Sequence, residues 1–265
     1  MGFIAGIPRT QSLSSHRFEV NQLDTCATRL MPVVFIRHPI DRLVSVYHYH
    51  RKSPKPKNAV ARAANKLSLV EYIQWLLSKK KNRLARNMQT AYLACLPAGE
   101  AAQPDSLAAA QANLENFPVV GIVDRFDESM VFAESVFRPF FQGLDLSYTR
   151  KNVTAGNVQT LPDKLALARE ALGEALAAEL EQYNQLDLEL YQWANQLLDN
   201  RLSSTENAKA SLAEFTSRCQ HRRAETVDEG GPMLKSRKLR FSHDQNHFYY
   251  LNEKKNIKKV ILRLS

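Results

Sequence analysis

The sequence predicts an α/β fold in which a parallel sheet is flanked by helices. Two short runs of apolar, mostly β-branched residues, 33–36 and 119–123, have the composition of buried parallel strands. Each run is followed by a segment that reads as a helix. This alternation of strand and helix is the pattern of an α/β protein, so we expect a central parallel sheet covered by helices.

The first strand and the helix after it form the most informative stretch of the chain. Pro39 ends the strand, because proline cannot donate to a β-ladder and suits the first turn of a helix. The predicted apolar face of this helix consists of Ile40, Leu43, Val44 and Tyr47. The opposite face carries Asp41, Ser45 and His48. Arg37 therefore lies between the carboxyl end of a strand and a helix N-terminus, where α/β proteins bind phosphate groups.

Further elements follow in order along the chain. Ser68 and Glu71 have the spacing of a capping box and predict an amphipathic helix to about residue 77. An Ala-rich helix is predicted over 106–116, before the second strand. The pattern over 161–198 is helical throughout.

Composition excludes several classes of protein. The chain has 265 residues, of which 44% are hydrophobic, so it can bury a core and global disorder is disfavoured. No run approaches the roughly 20 apolar residues of a membrane span, and the first residues do not have the pattern of a signal peptide. Three scattered cysteines predict neither a disulfide framework nor a zinc site. We therefore expect a cytoplasmic protein without a metal cofactor.

The net charge of +9 is concentrated in two segments. Residues 51–86 contain eleven Lys and Arg against one acidic residue, and 218–265 contain twelve basic against five acidic residues. Local charge of this kind favours surfaces that face a polyanion. A P-loop kinase is disfavoured, because no Gly-x-x-x-x-Gly-Lys-Ser/Thr motif occurs.

The spacing of Arg37, Pro39, Arg42, Ser45 and Tyr47 resembles the 3′-phosphate-binding segment of sulfotransferases. These enzymes use 3′-phosphoadenosine 5′-phosphosulfate (PAPS) as the sulfate donor. The resemblance implies that Arg37 and Ser45 bind the 3′-phosphate of that nucleotide. It also implies a P-loop nucleotide-kinase-like fold, a three-layer sandwich with a central parallel sheet.

Three more segments, 87–93, 119–129 and 184–191, are similar to segments of bacterial and Golgi-type members of this family. The resemblance is weaker over 3–15, where the family holds the 5′-phosphosulfate. It implies that this group is bound by Arg9, Thr10, Ser12 and Ser14. Gln11 stands where the family usually has glycine, whose backbone can approach a phosphate closely.

The resemblance implies that the general base lies between this loop and the first strand. The possible bases there are His16, Glu19 and Asp24, and we favour His16 because histidine titrates near neutral pH. Only about twenty residues separate the loop from Val33, which suggests a truncated or reduced relative of the family. By resemblance, Arg150 and Lys151 belong to a basic loop that closes over the nucleotide.

The sequence therefore predicts a PAPS-dependent sulfotransferase that modifies a hydroxyl group, or an amine, of an acceptor, with an anionic or neutral glycan favoured. One alternative is a catalytically impaired relative that binds a nucleotide or an anionic glycan. Another is a nucleic-acid-binding protein that uses the basic segments, although interleaved aromatic residues are scarce there. We expect the sulfotransferase-like domain over 1–200 and a basic extension over 201–265 that contains a small hairpin.

Overall fold

The computed structural model describes residues 31–52, 54–56, 58–80, 82–141, 143–149 and 160–228, together with three short strands nearer the C-terminus. The chain divides into two compact units, and each is built from separate parts of the sequence. Of the described residues, the first unit takes 31–36, 117–149 and the chain from residue 194 onward, and the second takes 37–116 and 160–193.

The first unit contains the sheet. Its strands are β1 (Val33–Ile36), β2 (Val119–Ile122), β3 (Leu239–Ser242), β4 (His247–Tyr250) and β5 (Arg263–Leu264). Strands β1 and β2 are parallel, with Val33 opposite Val119 and Ile36 opposite Ile122, which confirms the predicted parallel pair. The strand order is β2-β1-β5-β4-β3, in which β5 is parallel to β1 and the pairs β4–β5 and β3–β4 are antiparallel.

Strands β1 and β2 are buried along their whole length. Gly121 lies opposite Phe35, and a Cβ atom at residue 121 would lie 2.4 Å from Cε1 of that ring. The ring of Phe35 continues into an aromatic cluster, since its centroid lies 5.3 Å from that of Phe126, which lies 4.9 Å from that of Tyr148. Glycine is therefore required at residue 121 because the Phe35 ring covers it.

Two helices of the first unit, α6 (Phe126–Phe137) and α10 (Ala208–Asp228), are joined by a buried carboxylate. Glu134 on α6 is 3% exposed and accepts hydrogen bonds from both terminal nitrogens of Arg218 on α10, at 2.7 and 3.0 Å. It also accepts from the backbone N–H of Leu146, at 2.7 Å. Arg218 further contacts Asp145, which in turn pairs with Arg222. This network holds segment 144–149 against both helices.

The second unit is helical. It contains α1 (Pro39–Arg51), α2 (Ala59–Lys66), α3 (Leu69–Ser78), α4 (Met88–Leu93), α5 (Pro104–Glu115), α7 (Leu161–Leu172), α8 (Glu174–Tyr183) and the first part of α9 (Gln185–Ser203), up to Trp193, with a 3₁₀ turn at Arg83–Ala85. One apolar core joins α1, α3, α7 and α8 around Leu43, Tyr72 and Leu180, which are fully buried. The apolar face predicted for the helix after Pro39 is therefore confirmed.

The predicted capping box is confirmed at α3, where Ser68 accepts from the Glu71 backbone N–H and Glu71 accepts from that of Ser68. The long helical pattern over 161–198 is divided into three helices. Gly173, with φ of +76°, separates α7 from α8, since a residue with a side chain rarely adopts this conformation.

The structure thus confirms an α/β chain with many helices and a small sheet that is parallel across β2, β1 and β5; its other two pairs are antiparallel. The three-layer sandwich and the division at residue 200 stay predictions. Within the described part of the chain, no helix is both long and apolar enough to cross a membrane.

Candidate functional site

Arg37 lies in the two-residue turn between β1 and α1. The N-cap of α1 is His38, whose side chain makes no capping hydrogen bond, and Pro39 is the first helical residue. Since the first amides of a helix have no partner within the helix, this end of α1 presents N–H groups and the positive end of the helix dipole. The turn is thus suited to an anion, and the binding of a phosphate there stays a prediction.

The side chain of Arg37 is oriented by Asp41, one turn into α1. Nε of Arg37 donates to Oδ2 of Asp41 at 2.6 Å, and the two side chains are only 14% and 9% exposed. Among the described residues, the two terminal nitrogens of Arg37 find no hydrogen-bond acceptor. The carboxylate therefore fixes one edge of the guanidinium and leaves the forked end available for an anion.

The backbone of Arg37 is held by a side chain from α4. Oε1 of Gln89 accepts from the N–H of Arg37 at 3.0 Å, and Nε2 of Gln89 donates to the carbonyl of Arg37 at 2.8 Å. Gln89 is 1% exposed. A single primary amide therefore bonds both backbone groups of the residue whose side chain is the candidate anion ligand.

The N-terminus of α4 is in turn bonded to α9. The carboxylate of Asp187 accepts from the backbone N–H of Gln89 at 3.0 Å and from that of Thr90 at 2.7 Å. It also accepts from the hydroxyl of Thr90 at 2.8 Å, and Asp187 is fully buried. Asn87 turns the chain into α4 with φ of 45°, and its side chain accepts from the N–H of Asp187.

Arg42 is a buried cation beneath this turn. It is 4% exposed, and its Nη2 donates to the carbonyl of Leu84 at 2.6 Å. Burial lowers the pKa of the Arg42 guanidinium, and the nearby carboxylate of Asp187 opposes this change. Both side chains are buried, and their opposite charges offset part of the cost of that burial.

Ser45 lies one helical turn beyond Asp41 and is partly buried. The structure thus places Arg37, Asp41 and Ser45 on successive turns along one side of α1. Asp41 itself is 7% exposed, so this side of the helix is enclosed at its first turn and more open at Ser45.

The other predicted site residues lie outside the described residues. They are Arg9, Thr10, Ser12, Ser14, His16, Arg150 and Lys151. Among the residues that are described, no group of three or more His, Cys, Asp or Glu could hold a metal ion.

A second feature of the helical unit is its charge. The exposed cations at the end of α1, in the following loop and on α2 form what we call the basic surface: Arg51, Lys52, Lys55, Arg62 and Lys66. Asn65 joins the two helices, since its Nδ2 donates to the carbonyl of His50 at 2.7 Å. No acidic residue occurs between residues 51 and 70. Burial, together with Lys52 and Arg51, lowers the pKa of His48 beside this surface.

Four residues of the site had no predicted role: Asp41, Arg42, Gln89 and Asp187. Gln89 and Asp187 do fall in the segments 87–93 and 184–191, which resemble family segments. Their bonds join residues 52 and 98 positions apart, and no local pattern indicates such pairing.

Comparison with known proteins gives two findings. The model of a family described as the sulfotransferase family matches residues 7–194. An uncharacterized protein of Archaeoglobus fulgidus is 28% identical over 187 residues, which cover 68% of this chain and 73% of the archaeal protein. No solved structure matches the chain.

Proposed function

Since the chain belongs to the sulfotransferase family, we propose that it transfers a sulfuryl group from PAPS to a hydroxyl group of a carbohydrate acceptor. The observation that carries the proposal is the Arg37 turn. There a guanidinium is fixed along one edge by Asp41, at 2.6 Å, beside a helix N-terminus that has no side-chain cap. Cation and dipole together favour a phosphate dianion.

The reaction assigns each predicted residue a task. Arg37 and Ser45 bind the 3′-phosphate of the donor, and Arg9, Thr10, Ser12 and Ser14 bind its 5′ side. Arg150 and Lys151 cover the nucleotide. The acceptor oxygen attacks sulfur in line while the bond from sulfur to the 5′-phosphate oxygen breaks. His16 takes the hydroxyl proton, and the cations neutralise the leaving adenosine 3′,5′-bisphosphate. The proposal includes a nucleotide-kinase-like three-layer sandwich.

The acceptor that suits the basic surface is an anionic glycan. Five exposed cations lie on this surface without an acidic neighbour along the chain, and they attract a polyanion by long-range electrostatics. We expect alanine at both Arg62 and Lys66 to raise KM several-fold for a uronic-acid-containing polysaccharide and to leave KM for a neutral one unchanged. Lys209→Ala, an exposed lysine on α10, is the matched control.

The first experiment is calorimetric titration with adenosine 3′,5′-bisphosphate. A charged hydrogen bond contributes about 1.5–3 kcal/mol, so Arg37→Ala is expected to weaken binding about 10- to 100-fold. Arg62→Ala removes the same type of side chain from an exposed position and is expected to bind like the wild type. A folded wild-type protein that does not bind this nucleotide would contradict the proposed function.

A catalytically impaired relative is the second candidate, favoured by Gln11 in place of the usual glycine. An assay of radiolabelled sulfate transfer from PAPS to a panel of glycans distinguishes the active enzyme from the impaired relative. Nucleotide binding without transfer to any acceptor supports the impaired relative, whereas labelled product supports the enzyme. Binding of single-stranded nucleic acid in preference to glycans would instead favour the nucleic-acid alternative.

A further inference from the structure

We infer that Gln89 is a positioning residue that holds Arg37 in the conformation needed to bind the nucleotide, and that Asp187 holds Gln89 in place. The inference rests on the proposed function, because it takes Arg37 as the ligand of the 3′-phosphate. Gln89 itself is buried behind the turn, so it acts through Arg37.

The two hydrogen bonds of Gln89 restrain the backbone where regular structure is missing. Arg37 belongs neither to β1 nor to α1, so the bonds of those elements do not fix its dihedral angles. Gln89 accepts from its N–H and donates to its carbonyl, as a neighbouring strand would. Both peptide planes of Arg37 are restrained, and with them the direction of its side chain.

The orientation of the Gln89 amide depends on a further restraint. Gln89 and Thr90 lie in the first turn of the six-residue helix α4, whose first amides would otherwise have no acceptor. The carboxylate of Asp187 accepts hydrogen bonds from both amides and from the Thr90 hydroxyl. Its negative charge is attracted by the nearby Arg42 cation. This chain of contacts runs from α9 through α4 to the Arg37 backbone, and each link is a hydrogen bond of 2.7–3.0 Å.

The arrangement requires a side chain that can both accept and donate. A glutamate at residue 89 has the right shape, but its ionised form cannot donate to the Arg37 carbonyl. Its neutral form has an O–H donor and a carbonyl acceptor, so it can make both of the bonds to the Arg37 backbone. Because burial favours the neutral acid, this form is accessible at mildly acidic pH. Methionine has similar length and can make neither bond.

The test is the affinity for adenosine 3′,5′-bisphosphate, measured for each variant relative to the wild type at the same pH. We expect Gln89→Met to weaken binding about tenfold. This is the lower end of the roughly 10- to 100-fold loss of affinity that follows when a residue that orients a metal ligand is replaced. Gln89→Glu should bind weakly at pH 8 and recover as pH falls to about 5, whereas Gln89→Met should not recover. Gln74→Met, at an exposed position on α3, is the matched control.

A double variant separates positioning from general stability. If Gln89 acts through Arg37, then Arg37→Ala combined with Gln89→Met binds no more weakly than Arg37→Ala alone. If the two substitutions act independently, their fold-losses of affinity multiply in the double variant, and that result would overturn the inference. Wild-type affinity in Gln89→Met would overturn it as well. If Gln89→Met does not fold, the pH dependence of Gln89→Glu decides, and a profile parallel to the wild type overturns the inference.

The outcomes also distinguish this inference from the proposed function. Loss of binding in Arg37→Ala, with wild-type affinity in both Gln89 variants, refutes the positioning role and leaves the nucleotide site intact. Absence of binding by the wild type refutes the proposed function, and the positioning role with it.

Discussion

Replacing Glu134 by glutamine tests whether one buried carboxylate holds the sheet-containing unit together. The substitution keeps shape and volume, so it creates no cavity. It removes the negative charge and one acceptor at the point where Arg218 and the Leu146 N–H converge, at 2.7–3.0 Å. The amide NH₂ group must then face at least one of these donors.

The expected loss follows from burial. Removing one partner of a buried ion pair costs about 3–5 kcal/mol. Arg218 is 26% exposed and keeps its contact with Asp145, so we take the lower end, about 3 kcal/mol. With a denaturant slope of about 2 kcal/mol per molar urea, the midpoint of unfolding should fall by about 1.5 M.

The assay is equilibrium unfolding in urea, followed by circular dichroism. Glu214→Gln is the matched control, since it makes the same chemical change opposite the same arginine. Glu214 lies 3.6 Å from Nε of Arg218 and is 66% exposed, so its effect should be below about 0.5 kcal/mol. Equal midpoints for the two variants would refute the assignment of Glu134 as the central contact of this unit.

Two other predictions concern the same unit. Burial alone would raise the pKa of Asp145, but hydrogen bonds from Ser147 and Arg222 outweigh it, and its pKa lies below the usual 3.8. Because the pKa of Asp145 is lower in the folded state than in the unfolded state, its ionised form stabilises the fold fully at pH values above the unfolded-state pKa. This contribution is lost as the pH falls through the folded-state pKa. Urea curves of Asp145→Asn and wild type should therefore differ at pH 7 and converge towards pH 2; a constant difference would contradict this. Gly121→Ala places a methyl group against Phe35 and should lower the free energy of unfolding by about 1–3 kcal/mol. The loss should be clearly smaller when Gly121→Ala is made in a Phe35→Leu protein, as measured by urea unfolding. An equal loss in both backgrounds would exclude the clash.

Local structure around the candidate site was predictable from the sequence. Strand β1, the end of that strand before Pro39 and the apolar face of α1 each depend on residues within one or two turns of one another. The capping box of α3 likewise spans four residues. Periodicity and capping are short-range effects, so they can be read along the chain without knowledge of the tertiary fold. The choice of Arg37 as a candidate ligand rests on such local features and on the resemblance.

Burial of charge was not predictable in the same way. Arg42 lies among residues whose pattern indicates only a helix, and an arginine on a helix is expected at the surface. It is 4% exposed, and the carbonyl of Leu84 and the charge of Asp187 offset part of the cost of its desolvation. Both partners come from distant parts of the chain.

The sequence by itself determined the parallel strands β1 and β2, the helix after β1, and where a phosphate could bind. Only the tertiary structure decided what holds Arg37 in place, because Asp187 and Gln89 lie 98 residues apart and Gln89 lies 52 residues from Arg37. Hydrogen bonds across such separations form only after the helices have packed, and packing depends on the whole core. The candidate anion ligand is thus a local feature, and the hydrogen-bond network around its backbone is a property of the fold.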